Sequence, residues 1–201
     1  VLEIVGNGAV LDGSLSLAEA DWEVIGPDLY AVRPPKMSYQ QFFLDGQPAE
    51  RVAATGDKAP ELAPRQWCLL SGRILFRTDP GRRPEGYNPS CTGHPVAITL
   101  YQVHDLVIRD QTIRGYQLDG VNAHDTVTRC DLVGINSSHN GRSGFSIGGA
   151  SRVRLENCSA AGNGAAQVRT EGFSRTQILG GIFDEASAPA LVQEGGQVAT
   201  E

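Results

Sequence analysis

The chain is short of several things. It has one methionine, two tryptophans, four histidines and four cysteines in 201 residues, with no run of basic residues and no long apolar run. Without about 18 consecutive apolar residues there is no candidate membrane-spanning helix. A net charge of -6 with no Lys/Arg cluster argues against a nucleic-acid backbone or an anionic membrane as partner. None of the cysteines has C-x-x-C spacing, which argues against a sulfur-held metal. No nucleophile-elbow motif supports Ser-His-Asp chemistry. The opening Val1–Val5 has neither a basic leader nor a small-residue cleavage site.

What is present is a repeat. One cassette recurs at His104–Ile113, His124–Val133, Ser151–Ala160 and Ser174–Phe183, with starts 20, 27 and 23 residues apart. In each copy the third and fifth positions alternate with polar ones: Leu106/Ile108, Thr126/Thr128, Val153/Leu155 and Thr176/Ile178 face inward, while Arg109, Arg129, Arg154 and Gln177 face outward. Only a strand has that period of two. A second strand precedes each cassette, at 96–100, 119–123, 143–147, 166–170 and 190–194. Asn140-Gly141 and Asn163-Gly164 mark corners expected to need positive φ. Strands and turns repeating every twenty-odd residues, with no helical stretch between, predict a solenoid of stacked coils.

The cassette Val-x-Ile/Leu-x-Asn/Asp-Cys followed by an Asn-Gly corner, clearest in Arg152–Gly164, resembles the right-handed parallel β-helix proteins of the pectate-lyase-like superfamily. The resemblance covers 96–196 and, less fully, 2–13. It implies an all-β, right-handed parallel β-helix and an activity among polysaccharide lyases and glycoside hydrolases. Non-catalytic glycan-binding or tailspike-like surface proteins share the scaffold.

The chain divides into a first coil at 1–13, an inserted β-rich module at 14–95 and further coils at 96–201. Because the first coil starts inside a strand without a polar cap, a preceding segment carrying a secretion signal is expected, with a secreted, periplasmic or cell-surface location. The insertion shows three hairpins: Trp22–Arg33 around Gly26-Pro27-Asp28, Gln41–Val52 around Asp45-Gly46, and Gln66–Arg77 around Ser71-Gly72. Its pattern of Trp22, Tyr30 and Val32 also resembles β-helix glycosidases and lyases of bacterial polysaccharide metabolism. Its aromatic load predicts that it docks on the early coils. Cys68 and Cys91 can pair if the protein is exported, whereas Cys130 and Cys158 read as buried thiols stacked on neighbouring coils.

The predicted ligand face is the sheet before the cassettes, its partner a polysaccharide or oligosaccharide lying across the strands. Its outward residues are read as Tyr101, Asp119, Asn122, Ser146, Arg169 and Glu171, with His124 and Arg142 at its ends. Asp119 and Glu171, two coils and roughly 9–10 Å apart, approach the separation of an inverting glycosidase. In a lyase, His124, Arg169, Arg142 or Tyr101 would abstract the proton or neutralise a uronate. Tyr101, Asn122, Arg142 and Ser146 would bind substrate, and Arg129 and Arg154 on the neighbouring face would be bystanders. The bland alternatives are a capping Asp119, a surface Glu171–Arg169 pair and His-Asp corner bonds at His104 and His124. No cofactor is expected; Asp125 and Asp131 leave Ca²⁺ as the one alternative.

Overall fold

A computed structural model describes residues 1–36 and 39–201. Among the described residues the chain is all-β apart from a single 3₁₀ turn, Pro84–Tyr87, and it divides into two compact units: 1–13 with 94–201, and 14–93.

The first unit is a parallel β-solenoid of about four turns. Three strand stacks build it. Ile98–Tyr101, Asp119–His124 and Ser143–Ile147 lead into the first half of Ala166–Leu179 and of Leu191–Thr200. The second stack contains Leu2–Asp12, His104–Arg114, Thr128–Val133, Arg152–Glu156 and the far halves of those two long strands. The short third stack is the end of His104–Arg114, then Asn136–Ser138, Ser159–Ala160 and Ile182–Phe183.

The register corrects the second cassette. His104 pairs with Thr128, Cys130 with Val153 and Arg152 with Arg175, giving coil lengths of 24, 23 and 23 residues. His124 therefore belongs to the preceding strand, opposite Tyr101, and is not the counterpart of His104. Cys130 and Leu132 are buried where Thr126 and Thr128 had been expected; Thr126 is exposed and Thr128 half-buried. Burial decides between the two registers, because Val127, Cys130 and Leu132 can stack with Leu106, Ile108, Val153 and Leu155 in one core only in the observed one. Each such side chain contributes about 1.5–3 kcal/mol by leaving water. Cys158 lies five residues past Val153, the partner of Cys130, so the two thiols are not neighbours in the stack.

The corners also differ from expectation. The left-handed residues are Gly115, His139 and Gly162, each one position before the corner side chain, rather than the glycines of the Asn-Gly pairs. Asn140 and Asn163 are fully buried. Asn163 Oδ1 accepts from both the backbone N–H and Nδ2 of Asn140 (2.9 and 3.1 Å), and Asn140 Oδ1 accepts from the N–H of Tyr116. Asn163 Nδ2 donates to Ser137 O and Gln167 Oε1. The asparagines thus satisfy backbone groups that the corner removes from the sheets.

The second unit contains a four-stranded and a five-stranded sheet. All three hairpins are present, as antiparallel pairs. Asp45-Gly46 and Ser71-Gly72 have positive φ at both turn residues, as tight two-residue hairpins require. Phe42, Trp67, Phe76 and Tyr87 are buried against one another, with ring centroids 5.1–5.8 Å apart. Cys68 and Cys91 are free and buried in different apolar clusters, so the pairing left open for them is not made in this structure.

Candidate functional site

The first strand stack aligns the predicted face into two columns. One runs Thr99, Asn122, Ser146, Arg169 and Val192. The other starts with Tyr101 and His124, which are register partners, and ends with Glu171 and Glu194. Between them stands Gly148, which follows Ile147 as His124 follows Ala123 and Glu171 follows Thr170.

Asp119 is not on this surface. It has the strand parity of the buried Val121 and Ala123 and is itself fully buried. Its carboxylate accepts from Arg142 Nε (3.0 Å) and Nη2 (2.5 Å), Ser143 Oγ (2.5 Å) and Asn122 Nδ2 (3.4 Å). A buried carboxylate needs such a set of donors. Arg142 and Asn122, both expected to bind substrate, are thereby tied to it. Asp119 is also out of register with Glu171: its column leads through Ser143 to Ala166, five residues short of Glu171. Two coils and five residues separate the backbones by roughly 19 Å. That exceeds the spacing of paired glycosidase carboxylates, about 5–9.5 Å. Ser146 keeps its place in the column but is 1 % exposed and out of a ligand's reach.

Glu171 packs over Gly148 and is held by Arg169, while Tyr101 and His124 pair with each other on the two coils below. The rings of Tyr101 and His124 lie 5.0 Å apart between centroids. The Asp125 carboxylate, hydrogen-bonded to the Tyr101 phenol, holds its pKa above the ordinary value, and His124 Nδ1 stands 3.7 Å from the same carboxylate. A Cβ at Gly148 would lie 3.0 Å from Cγ and Oε1 of Glu171, so the glutamate folds back over the glycine towards the coil of His124. Arg169 Nη2 is 3.5 Å from Glu171 Oε2 and also pairs with Glu194. The result is a notch at Gly148 into which the Glu171 side chain folds, with imidazole and phenol below and two carboxylates sharing a guanidinium above.

Sequence reasoning missed Gly148 and Glu194. Glu194 had a signal, lying one 23-residue coil after Glu171. His104 bonds Asp105 through Nδ1 (2.8 Å), the corner contact anticipated for it. Among the described residues no group of three or more His, Cys, Asp or Glu side chains could hold a metal ion.

No protein-family model, curated protein or solved structure matches the chain. The fold and the notch define its class as a parallel β-solenoid with a polar, partly aromatic sheet face.

Proposed function

We infer that this solenoid binds a polysaccharide across its first sheet face and cleaves it at the Gly148 notch. The observation that carries the reading is the single column of Tyr101, His124, Gly148 and Glu171. His124 and Glu171 are two coils apart, roughly 10 Å between backbones, so a sugar ring enters between them when the Glu171 side chain swings off Gly148. Tyr101 offers an aromatic plane for stacking beside His124. In this reading His124, with the Asp125 carboxylate 3.7 Å from its Nδ1, exchanges the proton at the scissile linkage, and Glu171 acts from the opposite side of the notch. Arg169 holds Glu171 in place. A secreted or cell-surface location fits such a substrate, and no cofactor enters the step.

A second reading, glycan binding without cleavage, is favoured by one feature: Glu171 and Glu194 are both anchored to Arg169, as in a rigid binding surface. Incubation with neutral and uronate-containing polysaccharides separates the two, reading unsaturated products by absorbance and new reducing ends independently. The catalytic reading expects one signal, reduced about 100-fold or more in His124→Gln and in Glu171→Gln with melting temperature unchanged. Retention of bound oligosaccharide with neither signal selects the binding reading. Full activity in both variants removes the notch from consideration.

A further inference from the structure

The second strand stack carries a different kind of site. A groove of about 730 Å³ runs across Thr128–Val133, Arg152–Glu156 and the far halves of Ala166–Leu179 and Leu191–Thr200. One rim is Arg129, Arg152, Arg175 and Gln197; the other is Asp131, Arg154, Gln177 and Ala199. Four arginines and one acid line it, in a chain whose net charge is -6. Chance scattering of side chains over an acidic protein does not favour that local balance.

Arg152 and Arg175 are direct register partners on adjacent strands, and both are exposed. Like charges placed opposite one another in a sheet repel. Neither makes an ion pair among the described residues, unlike Arg129, held by Asp105 (2.5 and 2.7 Å), and Arg154, paired with Glu156. The next depression shares Arg175 and Gln197 with this groove and holds Phe173, which is 90 % exposed. A solvent-facing aromatic two residues from Arg175 on the same strand, beside the unneutralised arginine pair, is unexplained by packing and suits a ligand with both an anionic group and a flat apolar face.

We propose that this groove binds a linear acidic polysaccharide, with Arg152 and Arg175 each taking one anionic group and Phe173 stacking on a sugar ring. Coils rise by about 4.8 Å, close to the advance of one linked pyranose, so successive arginines meet successive sugars. Guanidinium forks match carboxylate or sulfate oxygens in pairs. A single-stranded nucleic acid is less well suited, since it wants an aromatic platform for each of several bases, and this groove has one at its end. The site lies on a different sheet from the Gly148 notch and does not depend on the function inferred for it.

The test is fluorescence polarisation of the full chain with three labelled probes: an oligoalginate, a sulfated dextran oligomer and the same dextran without sulfate. Binding of the alginate or the sulfated dextran, weakened by added salt, with neutral dextran inactive, is expected; which acidic probe binds identifies the anionic group. The Arg152→Gln/Arg175→Gln variant should weaken binding at least tenfold, and Phe173→Ala several-fold, with melting temperatures unchanged. Arg83→Gln, in the inserted unit, should leave it unaltered, and a loss in Arg169→Gln equal to that of the double variant would place the ligand at the notch instead. The proposal is overturned if neither acidic probe binds, if neutral dextran binds equally, if the double variant binds like the parent, or if an oligothymidylate outcompetes both acidic probes.

Discussion

Asn163 carries Asn140: one side-chain oxygen accepts both the backbone N–H and the Nδ2 of the asparagine a coil below, at 2.9 and 3.1 Å. The same amide donates to Ser137 O and Gln167 Oε1, all within a fully buried corner. Asn163→Ala therefore leaves several buried polar groups without partners, at about 1–3 kcal/mol each. A loss of about 3–5 kcal/mol in a urea melt is expected. Asn163→Asp, which keeps the acceptor but loses the donors, should also be destabilised. A melt shifted by less than 1 kcal/mol would show that the ladder contributes little.

His139 lies over Gly162, close enough that a Cβ there would meet its ring at 2.4 Å. Burial, and then the charge of Arg114, push its pKa below the ordinary value of 6.5. The unfolded chain thus binds the proton more readily than the folded one. Its contribution is complete above about pH 6.5 and is lost as pH falls through that value towards the depressed folded pKa. Melting temperature should drop on acidification across this window, and His139→Gln should flatten that part of the profile. An unchanged slope in the variant would assign the acid sensitivity elsewhere.

Burial pushes the Cys91 and Cys130 thiols up to about 12 and Cys158 to about 11; Cys68 is raised as well. All four are free and buried. Since the thiolate is the reactive form, a thiol-specific disulfide reagent at pH 8 should titrate almost none in the folded protein and four in denaturant. Rapid labelling of any of them in the native state would contradict the packing around it.

The strand repeat was legible because alternation needs no partner to be seen. So were the three hairpins, since residues such as Asp45-Gly46 and Ser71-Gly72 suit conformations few others adopt. The register of the second coil was not: His104-Asp105 and His124-Asp125 look like one repeated corner, yet Val127, Cys130 and Leu132 fit the core only when the cassette moves by four residues. Asp119 was read with Asn122 as one outward set, although its parity with Val121 already put it inside. What the sequence could not show was the cation that makes this tolerable, Arg142, on the next coil. Tyr101, His124 and Glu171 were named individually; their alignment in one column depends on which glycine the register sets between them. Arg152 and Arg175 already stood at the same cassette position; what the sequence could not show was that Arg129 and Arg154 find acids and these two do not.

The 80 residues from Ser14 to Gly93 leave and re-enter the solenoid at one point: His94 N–H donates to Gly13 O at 2.9 Å, and within the inserted unit Ser14 pairs with Thr92. Bringing the ends of an unstructured loop of that length together costs roughly 4 kcal/mol in its length-dependent part. Once folded, the insert holds its own two ends adjacent and presents the solenoid with a connection only a few residues long. Leu2–Asp12 can then join His104–Arg114 almost as though the two were consecutive in the chain. The insert thereby acts as a staple: with its ends held adjacent, the loop that the first coil must close is shortened from 80 residues to a few.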